Sequence, residues 1–166
     1  MSNHLSRRNF LLATAASGLL PLVLPNESQA QIKDDCIFCQ FGQNKAKTFK
    51  VWEDKDFLAF LDHKPIQPGH TLLIPKKHFE YLFDLDEKTY SKILKRAKEL
   101  SKLLKTAMNA KRIGVIVEGF GVAHVHIHLV PLQKGGELLQ KGAVGVTDEE
   151  FAKIAETIIN QVKNKK

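Results

Sequence analysis

The spacing of apolar and polar residues changes period several times along this chain, and each change marks an element. From Lys47 to Asp54, KTFKVWED alternates as a half-buried strand does, and FLAFLD from Phe57 to Asp62 reads as a second strand. HKPIQPG carries two prolines and a glycine and must turn, after which HTLLIPK, His70 to Lys76, is a third strand ended by Pro75. The period then lengthens. Tyr90, Ile93, Leu94, Ala97, Leu100, Leu104, Ala107 and Met108 recur at steps of three and four, which predicts a long helix with that stripe buried. Asp84 and Glu87 read as its capping box. RIGVIVEG, Arg112 to Gly119, is a β-branched fourth strand and HVHIHLV, His124 to Val130, a fifth, both apolar enough to be central. A last helix opens at TDEE, with Thr147 and Glu150 as capping box and Phe151, Ile154, Ala155, Ile158 and Val162 as its buried face. Strands, helix, strands and helix in that order predict an α+β layer: an antiparallel five-stranded sheet, one long helix and a C-terminal helix.

The first thirty residues stand outside this pattern. SRRNFLLA, Ser6 to Ala13, sets two arginines before an apolar run from Phe10 to Leu24 that Ser17, Gly18 and Pro21 interrupt. The run falls short of the roughly 20 residues needed to span a bilayer. NESQAQ follows, with Ser28 and Ala30 as small residues a signal peptidase accepts. The segment resembles a twin-arginine export signal cleaved after Ala30, which implies a signal over residues 1–30, a folded domain over 31–166 and a periplasmic or exported protein. An uncleaved anchor with the same basic head is the alternative, but the mature chain holds no stable span.

A chain of 166 residues, 43% hydrophobic and 26% charged, suits one soluble domain and excludes disordered and collagen-like classes. The formal net charge of +7 is local: nine Lys or Arg and a single acid, Glu99, lie between Lys88 and Arg112. On a helix whose other side is apolar, that run is first a solvated face and only second a surface for an anionic partner. It implies no specific nucleic-acid partner.

Chemistry concentrates in two places. Cys36 and Cys39, in DDCIFCQF, suit a disulfide, a redox dithiol or half of a zinc site. A thioredoxin-like pair would follow a strand and open a long helix, and no strand precedes this one. Zinc would need two further ligands, and histidines are plentiful. In GVAHVHIHLV, His124, His126 and His128 alternate, so they share one face of a strand while Val125, Ile127 and Leu129 face the core. Neighbouring imidazoles then stand about 7 Å apart. That spacing alone leaves phosphate-directed catalysis, a metal site and buried structural histidines all open.

The histidine run, together with CIFCQF and with VWEDKDFLAFLDHKPIQPGHTLLIPKKHF, resembles the motifs of the histidine triad (HIT) nucleotide hydrolases in order and spacing. The match extends over nearly all of residues 35–131. The resemblance implies a HIT-like fold and a nucleotide substrate attacked at its α-phosphorus by His126, through a nucleotidyl-histidine that water then cleaves. The substrate class is a nucleoside phosphoramidate, a nucleotidyl ester or a dinucleoside polyphosphate. It makes His128 a donor to the phosphate or leaving group and His70 a support behind the triad. It assigns Asp62 to the ribose hydroxyls and Phe38, Phe41 and Leu72 to the base. By the same resemblance Cys36, Cys39, His78 and His124 form a closed structural Zn2+ site, and the protein is a homodimer paired through the long helix and the neighbouring sheet.

The chain departs from the family before the triad. Val117 stands where many members carry asparagine, the loop is roughly four residues shorter, and Phe120 and Gly121 replace a polar pair. Phosphate binding then falls to backbone N–H groups of Phe120 to Val122, with Gly119 and Gly121 permitting either an anion-binding nest or an ordinary turn. Two further functional classes remain: a catalytically silent nucleotide- or metal-binding module, and a periplasmic thiol oxidoreductase working through Cys36 and Cys39.

Overall fold

A computed structural model describes residues 32–140, 142 and 146–164. The expected signal, residues 1–30, lies outside them. In chain order the elements are α1 (Ile37–Gly42), β1 (Lys50–Glu53), β2 (Phe57–Leu61), β3 (Thr71–Pro75), α2 (Glu87–Ala107), β4 (Arg112–Ile116), β5 (Ile127–Leu132) and α3 (Asp148–Lys163). The five strands form one antiparallel sheet in the order β1-β2-β3-β5-β4, so the predicted α+β architecture holds.

The two-residue period sorts the side chains cleanly. Phe57, Ala59, Leu61, Leu73, Ile127 and Leu129 point to the face covered by α2 and α3 and join the main core. Leu58, Phe60, Leu72 and Ile74 point the other way, to a smaller cluster capped by α1. α2 buries Ile93, Ala97, Leu100, Leu103 and Leu104. Its basic back is tied to the β1–β2 hairpin, where Arg96 Nε donates to Asp54 Oδ2 at 2.9 Å and Lys92 Nζ to Asp56 Oδ2 at 3.1 Å. α3 opens with the predicted capping box of Thr147 and Glu150. Among the described residues no helix is long and apolar enough to cross a membrane.

Several expectations are corrected. The cap of α2 is Asp86, whose side chain accepts from Thr89 N–H at 2.9 Å, while Asp84 ends a short 3-10 turn, Leu82–Asp84. Burial of Leu85 turns the chain once more before the helix begins. Leu94 is 40% exposed, and Leu103 takes its place in the buried stripe. β4 is an edge strand rather than a central one, with Val115 57% exposed. A β-branched run reads alike in either position because hydropathy does not report which strands flank it. Regular pairing in β5 begins at Ile127, so His124, at the end of a bend, and His126 lie on the chain leading into it.

Candidate active site and metal cluster

Three histidines two residues apart face the same side, and three different partners meet them there. His124 is fully buried and its Nε2–H donates to the carbonyl of Pro75 at 2.9 Å, which leaves the Nδ1 lone pair free. His126 does the reverse. Its Nδ1–H donates to the carbonyl of His124 at 2.6 Å, so Nε2 carries the free lone pair. His128 is set from further away. The N–H of Ile66 donates to His70 Nδ1 at 3.1 Å, so the His70 proton is on Nε2, 2.9 Å from His128 Nδ1. His128 accepts there and keeps its own proton on Nε2. Backbone groups thus leave Nδ1 free on His124 and Nε2 free on His126, and through His70 they hold the His128 proton on Nε2.

The electrostatics fit neutral rings. Burial pushes His70 and His124 down to about 4, with the carboxylate of Asp62 opposing the effect at His70 and the Pro75 carbonyl opposing it at His124. Burial also lowers His128, with His126 adding to the shift and Asp62 and Glu118 opposing it. Asp62 follows β2 directly. One of its oxygens accepts from Lys64 N–H at 2.9 Å, and the other lies 3.6 Å from His70 Nδ1 and 3.8 Å from His128 Nδ1. His70 is delivered by a tight turn. Gly69 has φ +82°, and a Cβ there would come within 2.6 Å of the Met108 side chain, so the Pro-Gly-His sequence admits only glycine at its centre.

Phe38 and Phe41, assigned to the base by the resemblance, pack together, and Phe60 joins them. The ring of Phe38 lies 6.1 Å from Phe41 and 5.4 Å from Phe60, and Phe41 lies 5.1 Å from Phe60. Phe60 was not among the expected site residues, although alternation within FLAFL places it on the histidine face. Leu72 pairs in register with His128, and Val122 packs against the same cluster. A cavity of about 870 Å3 runs from Phe38, Phe41 and Phe60 past His63 to the first turn of α3. Phe38 also meets the histidines edge-on, 5.2 Å from the His126 ring and 5.8 Å from that of His124.

The loop before the triad is less engaged. Gly119 adopts φ +91°, Phe120 is 93% exposed, and Gly121 has open space around it. The Phe120 side chain points into solvent, and among the described residues the N–H groups of Phe120 to Val122 find no backbone acceptor. The histidine rings converge more than a flat strand implies, with His126 and His128 centroids 4.9 Å apart.

Cys36, Cys39, His78 and His124 come together as the sequence predicts, their ligand atoms all within 4.8 Å of one another. Cys36 Sγ is 3.4 Å from His124 Nδ1, and Cys39 Sγ is 3.6 Å from His124 Nδ1 and 3.5 Å from His78 Nδ1. A tetrahedral zinc with Zn–S of about 2.3 Å and Zn–N of about 2.05 Å requires S···N edges of about 3.6 Å. The donor set therefore has the size and chemistry for that ion, and the nitrogen that Pro75 leaves free on His124 is the one that faces the sulfurs. Burial raises the Cys39 thiol, and a cation bound between the sulfurs would reverse that shift. His78 Nε2 is buried with no hydrogen-bond partner among the described residues. Glu80 Oε1 lies 3.6 Å away and is itself paired with Lys33 at 2.5 Å. Glu80, two residues after His78 in KHFE, was also missed from the sequence.

Known proteins share this fold. Residues 43–135 match the HIT domain model. The chain is 38% identical to an uncharacterized HIT-like protein of Borreliella burgdorferi, over 58% of this chain and 75% of that one. It is 36% identical to the adenosine 5'-monophosphoramidase HNT1 of Saccharomyces cerevisiae, over 58% of this chain and 61% of that one. The crystal structure of a Hit-like protein from Bartonella henselae superposes with TM-score 0.70 and 30% identity, covering 78% of this chain and 97% of that one. A zinc-bound histidine triad family protein from Mycobacterium smegmatis shares the fold at TM-score 0.66 and 24% identity, covering 80% of this chain and 98% of that one. With a fold, a histidine run and a domain match in agreement, the chain belongs to the HIT family.

Proposed function

We propose that this protein hydrolyses a nucleoside phosphoramidate, nucleotidyl ester or dinucleoside polyphosphate at its α-phosphorus, with His126 as nucleophile. The observation that carries this reading is the 2.6 Å bond from His126 Nδ1–H to the His124 carbonyl, which leaves Nε2 as the free lone pair. Nε2 attacks phosphorus and the bond to the leaving group breaks. A phosphoramidate reacts with its nitrogen protonated, so the amine leaves neutral. Water then attacks the same phosphorus, the P–N bond to His126 breaks, one proton of the water passes to solvent, and a nucleoside monophosphate departs.

His128 Nε2–H is the donor that stabilises charge on the phosphate or leaving atom, held in that tautomer by His70. Asp62 takes the ribose hydroxyls, and Phe38, Phe41, Phe60 and Leu72 bound the base. Phosphate oxygens meet the N–H groups of Phe120 to Val122. Cys36, Cys39, His78 and His124 would hold a structural zinc, with no ligand position left for water.

Two wider features belong to the same reading. The outer edge of β4 is unpaired, and Leu94, Val115 and Val117 are exposed near it at 40%, 57% and 39%, so a second copy of the chain would cover this edge. SRRNF and the following apolar run would direct export, with cleavage after Ala30. A silent binding module is the second reading, favoured by the absence of any side-chain phosphate donor at Phe120 and Gly121.

A substrate panel of phosphoramidates, dinucleoside polyphosphates and nucleotide sugars, followed by an alkaline denaturing quench and mass analysis of the intact chain and its peptides, tests the proposal. The expected result is turnover of at least one class and a nucleotidyl adduct on the peptide that carries His126. Full hydrolysis by His126→Ala would overturn the mechanism, and nucleotide binding without turnover would favour the silent module.

A further inference from the structure

α1 is short for an independent helix, at six residues, and its first residues have few local supports. Its N-cap, Cys36, makes no side-chain cap bond and its first turn has no acid. The helix is held by tertiary contacts of three kinds. The sulfurs of Cys36 and Cys39 reach His124 and His78, Phe38 and Phe41 pack on Phe60, and Gly42 lies close to the Lys76 backbone, where a Cβ would be 3.5 Å from Lys76 Cα. Phe38 sits between the two cysteines in sequence and is 7% exposed. It is the one residue of the Cys-x-x-Cys turn whose ring also touches the candidate nucleophile, at 5.2 Å from His126.

We propose that Phe38 is a positioning residue that couples the Cys36/Cys39/His78/His124 metal site to the nucleotide site, so that metal and nucleotide bind cooperatively. The inference rests on the function proposed above. Metal bound between the two sulfurs and the two imidazoles fixes the start of α1, and with it the angle at which the Phe38 ring meets both the base wall and His126. A base packed against Phe38 holds the same turn and therefore holds Cys36 and Cys39 on the metal. Two ligands that order one element each bind better when the other is present, and the factor is the same in both directions.

The test uses the full chain loaded with zinc, with AMP as the nucleotide. Zinc affinity is measured by competition with a chromogenic chelator, with and without saturating AMP, and the rate of zinc loss to excess chelator is followed in parallel. Coupling within the usual allosteric range predicts that AMP tightens zinc and slows its release by about fivefold or more. Phe38→Leu and Phe38→Met, each at AMP concentrations shown by direct titration to saturate that variant, are expected to keep zinc while the AMP effect falls below about twofold. Zinc release unchanged by AMP, in protein that binds AMP, would overturn the coupling alone. Persistence of the full effect in both Phe38 variants would overturn the role of Phe38. Zinc-loaded protein that binds no AMP would instead overturn the nucleotide reading on which the inference stands.

Discussion

Among the described residues, eighteen buried side chains form one apolar cluster on the face of the sheet covered by α2 and α3, whereas the opposite face has seven, two of them cysteines, capped by a six-residue helix. The first face is held by area removed from water, which is non-directional and roughly additive. The second buries His70, His78, His124 and His126, whose ring nitrogens lose water on burial, and among the described residues His78 Nε2 is the one of these left buried without a partner. One face is thus built to be stable and the other to be specific. The same strands serve both, because alternation sends Ile127 and Leu129 one way and His126 and His128 the other.

The difference can be broken from either side. The largest effect is expected from His126→Ala, which should cost about 10^4-fold or more in turnover of the best substrate while shifting the melting temperature little. Steady-state kinetics and calorimetry on the same preparation check both halves. Leu104→Ala should do the opposite. Leu104 is fully buried in the main core, so truncation should cost about 2–5 kcal/mol of stability by denaturant titration. Turnover per folded molecule should stay within about twofold, because none of the site's hydrogen bonds runs through α2.

Acid sharpens the contrast. His70 is held at about 4 against an ordinary 6.5, so between those values the unfolded chain binds the extra proton. Its contribution is therefore complete above about pH 6.5 and is lost as pH falls toward 4, by up to about 1.4 kcal/mol for each pH unit. Urea midpoints measured across that window should decline, and His70→Gln should flatten the slope. The smallest effect is local to the apolar side: Asp86→Ala removes the cap of α2 and should cost about 1 kcal/mol in the same titration without altering the pH slope.

Much of this was legible in the chain. FLAFL and TLLIP are both strands, Thr147 with Glu150 caps the start of α3, and Cys36, Cys39, His78 and His124, the ligand set the family resemblance implies, do meet. The errors share a cause. Leu94 and Val115 look like core by residue type, yet they sit where α2 and β4 run past the edge of the sheet. Asp84 and Asp86 are equally good caps by type, and the burial of Leu85 decides between them. The Phe120 side chain stands in solvent, since a glycine-flanked loop carries no apolar pattern that fixes its path.

The sequence alone determined that His128 faces away from Ile127 and Leu129, because a two-residue period leaves no choice once the strand is set. It could not determine which nitrogen of each ring is free. That depends on the Pro75 carbonyl for His124, on the His124 carbonyl for His126, and on the Ile66 N–H acting through His70 for His128. Two of these three backbone groups lie 49 or more residues away from the ring they control. A main-chain donor or acceptor is the same in every residue, so only the tertiary structure decides which imidazole it meets.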